Sequence, residues 1–391
     1  MASSSYYTPP LDGSLPAIWG ALDWRAEHTP DDPWIVFPHR EYSEEKMVLT
    51  FADCATASHR AAYGLHTARV DTQDGAVAAI FLNTDTVHYA LLLTGIMRAG
   101  LIPLPIAPAT SPEDVCTLLR NANCHRILTR STACMYFRVS TVRALCSKRR
   151  YHLRVDEVPW LDFILPQLKN KDAATGLKEG PYPTNGKRHA PEDVAMYFQP
   201  PITERRQDPV TLTHKGIADW QRHLAERGER LKGTLWGAMS IPTCHPSGIV
   251  MQIFTPLATG MPIAVFSPKA PGKPTIPTPR NTMDLARALE CTALVTTSDF
   301  LEEWAQDLEA IHTLSLMRIV CYTGPGLSPY TESSLASAGI TMSSFGLDPA
   351  IETGVGSICW QTGEDTPSQS VLTENPLIYA LRRHDSSVGL Q

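Results

Sequence analysis

The sequence lacks the cysteine spacings that mark metal sites and redox centres. Its nine cysteines are scattered over 391 residues, with no C-x-x-C pair and no cysteine–histidine ligand spacing. An odd and unpatterned set of this kind is typical of reduced thiols in a cytosolic protein. The cysteines therefore predict a cytoplasmic location.

Long apolar runs and an excess of basic charge are also missing. The longest apolar cluster, residues 90–106, is interrupted by glycine, arginine and proline, whereas a membrane-spanning helix needs ~20 apolar residues. The first sixteen residues have no basic region followed by an apolar stretch, so they do not form a signal peptide. A formal net charge of -6 argues against a nucleic-acid partner, which needs a basic face. We expect neither a membrane span nor bound nucleic acid.

What is present is an alternation of short apolar runs with helical patterns. "AVAAIFLN" and "LIPLPI" are continuous runs typical of parallel strands buried on both faces. Between them lies a helical pattern for which Thr84 or Asp85 is the expected N-cap. Residues 299–314 are expected to form a single helix. The order of elements predicts a doubly wound α/β fold.

The pattern starts again near residue 193, which predicts two α/β units. We expect the first unit to cover residues 1–190 and the second to cover residues 191–357. Residues 358–391 would form a short tail. A chain of this length exceeds the ~250–300 residues at which single cores stop growing, so a division into units is reasonable.

Four motifs in a fixed order carry a resemblance to a known family. They are "TVHYALLLTGIMRAGLIPLP", "LTHKGI", "IPTCHPSGIVMQIFTPLATG" and "CYTGPGL" followed by "SSFG" and "IETG". Their order resembles the large N-terminal domain of the adenylate-forming superfamily, which includes acyl-CoA synthetases and the adenylation domains of peptide synthetases. The resemblance implies two stacked, doubly wound sheets flanked by helices. It also implies ATP with Mg²⁺ as cofactors and a small carboxylic acid as ligand.

The resemblance assigns roles to particular residues. His245 and Gly248 match the motif that lines the acyl pocket, although a histidine that caps a helix start is an equal interpretation of His245. The metal ligand is Glu352 if the chain has a short insertion, and its position is Pro349 if it has none. The nucleotide-binding positions are Thr203, Thr213, Gly324, Pro325, Gly326, Phe345 and Gly346.

The phosphate loop of the family is where this sequence departs most from the pattern. The family uses glycines, hydroxyl residues and a lysine there to hold a triphosphate. Counting back from His214, the glycine positions are Ile202 and Arg205, and the lysine position is Asp208. Two prolines, residues 200–201, replace hydroxyl residues, and proline has no backbone N–H to donate. Loss of ATP turnover is the plainer interpretation.

Three functional hypotheses follow from these residues. The leading one is a degenerate, truncated adenylate-forming domain with little or no ligase activity, since residues 358–391 are too few for the family's C-terminal lid. The second is an active adenylation fragment in which Arg205 or Arg206 replaces the lysine, Glu352 holds Mg²⁺ and a partner chain supplies the lid. The third is a non-catalytic module that binds an acyl group, another small molecule or a partner.

Overall fold

A computed structural model describes residues 17–39, 45–66, 75–130, 132–168, 180–183, 189–200, 208–228, 233–270 and 272–344. A short 3-10 helix covers Pro166–Leu168, and a π-helical segment covers Val250–Phe254. The helices are α1 (Ala17–His28), α2 (Phe51–His66), α3 (Thr86–Arg98), α4 (Pro112–Asn121), α5 (Ala133–Lys148), α6 (Leu161–Ile164), α7 (His214–Gly228), α8 (Pro246–Ile249), α9 (Thr255–Thr259), α10 (Pro279–Ala288), α11 (Ser298–Trp304), α12 (Leu308–Ser315) and α13 (Pro329–Ser337). The strands are β1 (Pro33–Pro38), β2 (Lys46–Thr50), β3 (Val77–Phe81), β4 (Ile102–Ile106), β5 (Arg126–Thr129), β6 (Arg154–Glu157), β7 (Val194–Phe198), β8 (Val210–Thr213), β9 (Trp236–Gly237), β10 (Ile263–Ala264), β11 (Ala293–Thr297), β12 (Ile319–Thr323) and β13 (Met342–Ser344).

The strands form one large sheet, one smaller sheet and a hairpin. The large sheet has the order β13-β12-β11-β9-β10-β1-β2, and all its neighbours are parallel except β1 and β2. The smaller sheet has the order β4-β3-β5-β6 and is parallel throughout. Strands β7 and β8 form an antiparallel pair, and β7 lies beside β4. The predicted α/β fold of stacked sheets flanked by helices is confirmed.

The large sheet combines strands from both parts of the chain. Strands β1 and β2 come from residues 33–50, whereas the other five strands come from residues 236–344. The proposed division into residues 1–190 and 191–357 stays a prediction. No helix within the described ranges is long and apolar enough to cross a membrane.

Alternating side chains of the buried strands face two different layers, as the two-residue period of a strand requires. In β10, Ile263 packs in the core between the two sheets, while Ala264 packs on the opposite face with α10 to α12. In β3, Ile80 likewise faces the shared core and Phe81 faces α4 and α5. The described residues thus form five layers, with α2 and α3 in the middle one.

An ion pair between a buried arginine and a partly exposed aspartate joins the three helices of the middle layer. The guanidinium of Arg98 on α3 makes two hydrogen bonds to the carboxylate of Asp23 on α1, at 2.6 and 2.9 Å. Its Nε donates to the hydroxyl of Ser58 on α2 at 3.1 Å. Two parallel bonds of this kind fix the orientation of both side chains, so Arg98 sets how the three helices meet.

A second buried arginine lies at the end of α9. Arg25 of α1 is 1% exposed, and it donates from Nε to the carbonyl of Leu257 and from Nη2 to the carbonyl of Ala258, at 3.0 and 2.9 Å. The last carbonyls of a helix have no partner within the helix and carry partial negative charge. Gly260 ends α9 in the left-handed conformation directly against this guanidinium.

The prediction of a single helix over residues 299–314 is wrong, because the structure has two helices there. Helix α11 ends at Trp304 and α12 begins at Leu308. The carboxylate of Asp307 accepts a hydrogen bond from the backbone N–H of Glu309 at 2.9 Å. An aspartate that accepts from a free N–H starts a new helix, and the apolar spacing on its own did not reveal this.

The close contact of α2 and α3 predicts that Gly95→Ala destabilises the protein. A Cβ atom at Gly95 would lie 2.5 Å from the Cβ of Ala61 and 3.1 Å from the carbonyl oxygen of Ser58. Alanine favours a helix by about 1 kcal/mol, but overpacking a tight core costs about 1–3 kcal/mol. We expect a net loss of up to about 2 kcal/mol in the free energy of unfolding, measured by urea unfolding followed by circular dichroism.

Gly326→Ala is the matched control, because a Cβ atom there would meet no heavy atom within 4 Å. Its free energy of unfolding should stay within about 0.5 kcal/mol of that of the natural protein. A Gly95→Ala protein as stable as this control would show that α2 and α3 separate without loss.

Candidate functional site

The large sheet has one point at which the order of its strands reverses. The chain leaves β9 for β10 on one side, and then crosses to β11 on the other side of β9. In open α/β sheets, ligands bind in the crevice outside the carboxyl ends of the strands at such a point. The loops that follow β9, β11 and β12 therefore define the candidate site.

Two buried hydroxyl groups lie at this position. The Oγ atoms of Ser240, after β9, and of Ser298, after β11, have no hydrogen-bond partner within the part of the chain that the structure describes. A buried polar group without a partner is unfavourable, so the two hydroxyls leave hydrogen-bonding capacity unused beside these strand ends.

The loop after β12 contains three of the predicted nucleotide-binding residues, Gly324, Pro325 and Gly326. Gly324 has φ of 120°, and a Cβ atom there would lie 2.7 Å from the Oγ of Ser298. Only glycine allows this backbone conformation together with so close an approach. All three residues are exposed, so this loop forms one open wall of the crevice.

Glu302 of α11 fixes the end of that loop. Its carboxylate accepts hydrogen bonds from the backbone N–H of Ser328, from the hydroxyl of Ser328 at 2.8 Å and from the hydroxyl of Thr331 at 2.6 Å. These hydrogen bonds lower the pKa of Glu302, and the bond from the backbone N–H of Ser328 has the largest effect. The sequence analysis missed this residue, because an acidic side chain on an amphipathic helix looks like any solvated glutamate.

The predicted acyl-pocket residues lie at the end of the segment between β9 and α8 and in the first turn of α8 itself. His245 caps α8, since its Nδ1 accepts from the backbone N–H of Ser247 at 3.2 Å. Gly248 is required because a side chain there would collide with the carbonyl group of Pro242. The capping interpretation of His245 is thus confirmed, and its predicted contact with an acyl group stays a prediction.

Gln252 stabilises the segment between β9 and α8 through hydrogen bonds to its backbone. Its side-chain amide donates to the carbonyls of Ala238 at 2.6 Å and Ile241 at 2.8 Å, and its backbone carbonyl accepts from the indole of Trp34. Gln252 is buried in the π-helical segment. A single glutamine inside the apolar run "SGIVMQIFTPLATG" was the signal that would have identified it.

The first turn of α3 also contacts the site. The hydroxyl of Thr86 meets that of Thr243 at 3.0 Å. Asp85 occupies the N-cap position of α3, but its side chain makes no capping bond there. Its carboxylate instead accepts from the backbone N–H groups of Lys269 and Ala270 at 2.9 and 2.8 Å. Burial raises the pKa of Asp85, and these two hydrogen bonds oppose the increase.

The flanks of the phosphate loop are β7 and β8. The side-chain oxygen of Gln199 accepts from the backbone N–H of Ala107 at 3.0 Å and from the hydroxyl of Thr110 at 3.1 Å. Thr213 caps α7 by accepting from the backbone N–H of Gly216 at 3.0 Å. Strand β8, the Thr213 cap and the start of α7 therefore follow one another directly in the motif "LTHKGI".

His214 begins α7 in a buried position. Its ring stacks on that of His189, with 4.5 Å between centroids. Burial, together with the neighbouring His189, lowers the pKa of His214 to about 4. The imidazole is therefore neutral at pH 7 and adds no positive charge to the loop.

Asp208 stands at the position that the resemblance gives to the lysine. Its Oδ1 accepts a hydrogen bond from the side-chain amide of Asn121 at 2.9 Å. Residues 201–207, which include Thr203, lie outside the described residues, as do Phe345, Gly346 and Glu352. Their predicted roles stay predictions.

Only part of the predicted nucleotide site lies among the described residues. At the crevice, the backbone of Gly324 lies close to the Oγ of Ser298, and the hydroxyls of Ser240 and Ser298 have no hydrogen-bond partner within the described ranges. At the predicted lysine position, Asp208 supplies a carboxylate, whose negative charge does not fit the role of that lysine beside a triphosphate. Over the same ranges, no group of three or more His, Cys, Asp or Glu side chains is placed to hold a metal ion.

Comparison with known proteins decides the family. A model described as AMP-binding enzyme matches residues 22–369. The chain belongs to this family. The adenylate-forming reductase Nps11 of Serpula lacrymans var. lacrymans is 29% identical over 348 residues, which cover 87% of this chain and 31% of that protein. The chain thus spans about a third of the length of the curated relatives it matches.

Solved structures of AMP-binding proteins share the fold. A long-chain-fatty-acid-CoA ligase, FadD1, from Archaeoglobus fulgidus has a TM-score of 0.62 at 14% identity, over 87% of this chain and 64% of that one. The N-terminal subdomain of NpsA from Klebsiella oxytoca has a TM-score of 0.59 at 15% identity, over 85% and 75%. At these identities, the likeness concerns the fold alone.

The network around Glu302 predicts a pH dependence of stability. Its pKa is lower in the folded protein than its ordinary value of 4.5. Protonation therefore favours the unfolded chain: the contribution is fully present above pH 4.5 and is lost as the pH falls through the lower folded value. Glu302→Gln should reduce stability at pH 7 and make the loss of stability below pH 4.5 smaller than in the natural protein.

Urea unfolding at pH 7 and at several values below 4.5 measures this difference. Glu303→Gln, which alters the exposed neighbour on the same helix, is the control and should leave the profile unchanged. Identical acid profiles for Glu302→Gln and the natural protein would contradict the assignment.

Proposed function

We propose that this chain is a degenerate adenylate-forming domain with little or no ATP-dependent ligase activity. The observation that carries the proposal is Asp208, which stands at the family's lysine position and directs its carboxylate to Asn121. The loop before it, residues 200–207, contains no glycine. The remaining architecture supports descent from an enzyme that activates a carboxylic acid with ATP.

The sign of the charge is the physical reason. Acid activation brings a carboxylate to the α-phosphate, so two anions must approach each other and cations are needed to offset their repulsion. The electrostatic interaction energy between a unit charge and a phosphate charge ~6 Å away is about 1–3 kcal/mol, depending on solvent exposure. Exchanging an ammonium for a carboxylate reverses the sign of that contribution for each phosphate charge.

A second candidate is an active adenylation segment of a longer adenylate-forming reductase. It is favoured by the 29% identity to Nps11 over most of this chain. Arg205 and Arg206 would then supply the cations, Glu352 would hold Mg²⁺, and a lid would come from elsewhere. This arrangement rests on residues outside the described ranges.

A third candidate, a module that binds acids without nucleotide, is favoured by the intact support of the acyl-pocket segment. Gln252 and Gly248 still hold the loop between β9 and α8 in a close-packed form. Neither residue contributes to the phosphate side, so the pocket can persist without ATP chemistry.

The proposed loss of activity predicts no pyrophosphate exchange above background with aryl, amino or fatty acids. It also predicts no increase in Tm with millimolar ATP and Mg²⁺, since a ligand present at a tenth of its Kd adds less than about 0.1 kcal/mol. Asp208→Lys should give a larger ATP-dependent shift than the natural protein, because the local charge changes sign. Differential scanning fluorimetry measures these shifts.

Asp208→Asn is the matched control, since it removes the carboxylate without adding a cation, and its shift should lie between the other two. Robust exchange by the natural chain would overturn the proposal in favour of the active segment. An increase in Tm with acids alone, independent of nucleotide, would identify the binding module.

A further inference from the structure

Two cysteines on neighbouring helices lie in direct contact, far from the crevice at the large sheet. Cys116 of α4 and Cys146 of α5 have their Sγ atoms 3.1 Å apart. Both side chains are fully buried in the core on the outer face of the smaller sheet. A disulfide bond has an S–S length of about 2.05 Å, so closing the gap requires a movement of about 1 Å.

Two hydrogen-bond donors converge on Cys116. The thiol of Cys146 donates to its Sγ, and Nη1 of Arg149 lies 3.9 Å from the same atom. Burial and the bond to Cys116 raise the pKa of Cys146 to about 12. Cys146 is therefore held as the protonated partner, and Cys116 is the sulfur whose lone pairs receive both donors.

The exposed side chain of Arg149 lies next to the buried cysteine pair. Cys146 occupies the last turn of α5, and the side chain of Arg149, the C-cap residue, is exposed. Helix ends open at low free energy. Fraying of the last turn of α5 would expose the pair to a small molecule without unfolding the sheet.

Other cysteines in the described ranges are placed differently. Cys124 donates its thiol to the backbone carbonyls of Val77 and Arg126, and Cys134 is exposed on its own at the start of α5. Within these ranges, the contact between Cys116 and Cys146 is the only direct contact between two sulfur atoms that the structure shows.

We propose that Cys116 and Cys146 are an oxidation site for hydrogen peroxide, at which they close to a disulfide that joins α4 to α5. The Cys116 thiolate attacks one peroxide oxygen, the O–O bond breaks, and one water leaves after protonation. The Cys146 sulfur then attacks the sulfenic sulfur of Cys116 and expels a second water. Two thiols and one peroxide give one disulfide and two waters, and a dithiol reductant reverses the change.

The cross-link would act on a helix that borders the phosphate loop. Asn121, at the end of α4, holds Asp208, and the residues just before α4 hold Gln199. A covalent bond from α4 to α5 would therefore restrict the elements on which both flanks of that loop rest.

The test uses the natural full chain. Folded protein is treated with increasing hydrogen peroxide, unfolded in urea with an alkylating reagent present, and digested with trypsin, which places Cys116 in the peptide 99–120 and Cys146 in the peptide 144–148. We expect these two peptides to appear linked and two hydrogens lighter than their sum. We also expect a loss of two alkylatable thiols that dithiothreitol restores.

Cys134→Ser is the matched control and should keep the linked peptide, whereas Cys116→Ser and Cys146→Ser should each abolish it. The measurement on the natural chain stands even if one of these variants fails to fold. If peroxide fully oxidises the exposed Cys134 while the peptides 99–120 and 144–148 stay separate and reduced, the proposal is wrong.

Discussion

The close packing of α2 against α3 is the constraint on which the rest of the structure depends. The two helices share a layer between two sheets, and Gly95 allows the approach because it has no side chain to separate them. The ion pair between Arg98 and Asp23 fixes the third helix of that layer. Interiors packed to this density transmit displacements, so a change in the spacing of α2 and α3 would reach both sheets.

The site inherits its geometry from this layer. The N-terminal end of α3 carries Asp85 and Thr86, which bind the segments after β10 and β9. The crevice of the large sheet is therefore positioned by a helix that also packs on the smaller sheet. The bonds from Gln252 complete the support from the opposite side.

Residues that shape the backbone and the residue at the predicted lysine position are subject to different physical constraints. Gly324, Gly248 and the cap at Thr213 are required by backbone geometry and helix starts, and the fold would need them even without a ligand. Asp208 is exposed, and the side-chain hydrogen bond that the described residues show for it goes to Asn121. Selection for folding therefore acts more strongly on the first set than on the exposed side chain of Asp208.

The sequence predicted the elements that have strong local signals. Continuous apolar runs identified β3 and β4, which lie side by side in the smaller sheet. Helix α5 was missed, although Met135, Val139, Val142 and Cys146 recur at helical spacing on its buried side. Basic residues along the same helix, Arg138, Arg143 and Lys148, made this apolar spacing hard to recognise.

Features that depend on long-range contacts could not be read from the chain. Asp85 has the local chemistry of an N-cap, yet its carboxylate is used by Lys269 and Ala270, which are distant in sequence. Glu302 and Gln252 act in the same way, through partners that only the fold brings near. Sequence reasoning therefore singled out residues that shape the backbone, such as Gly324 and Gly248, and missed those that connect separate segments. The predicted ligand-binding roles stay predictions.

The position of Arg25 has a consequence for the start of the chain. Its guanidinium neutralises the carbonyl end of α9, the last part of the helical region that supports the acyl-pocket segment. A shortened form beginning after His28 would leave that helix end buried without its cation. Helix α1 thus supports the helical region that follows His245 and Gly248, and a fragment designed around the four sequence motifs alone would omit this support.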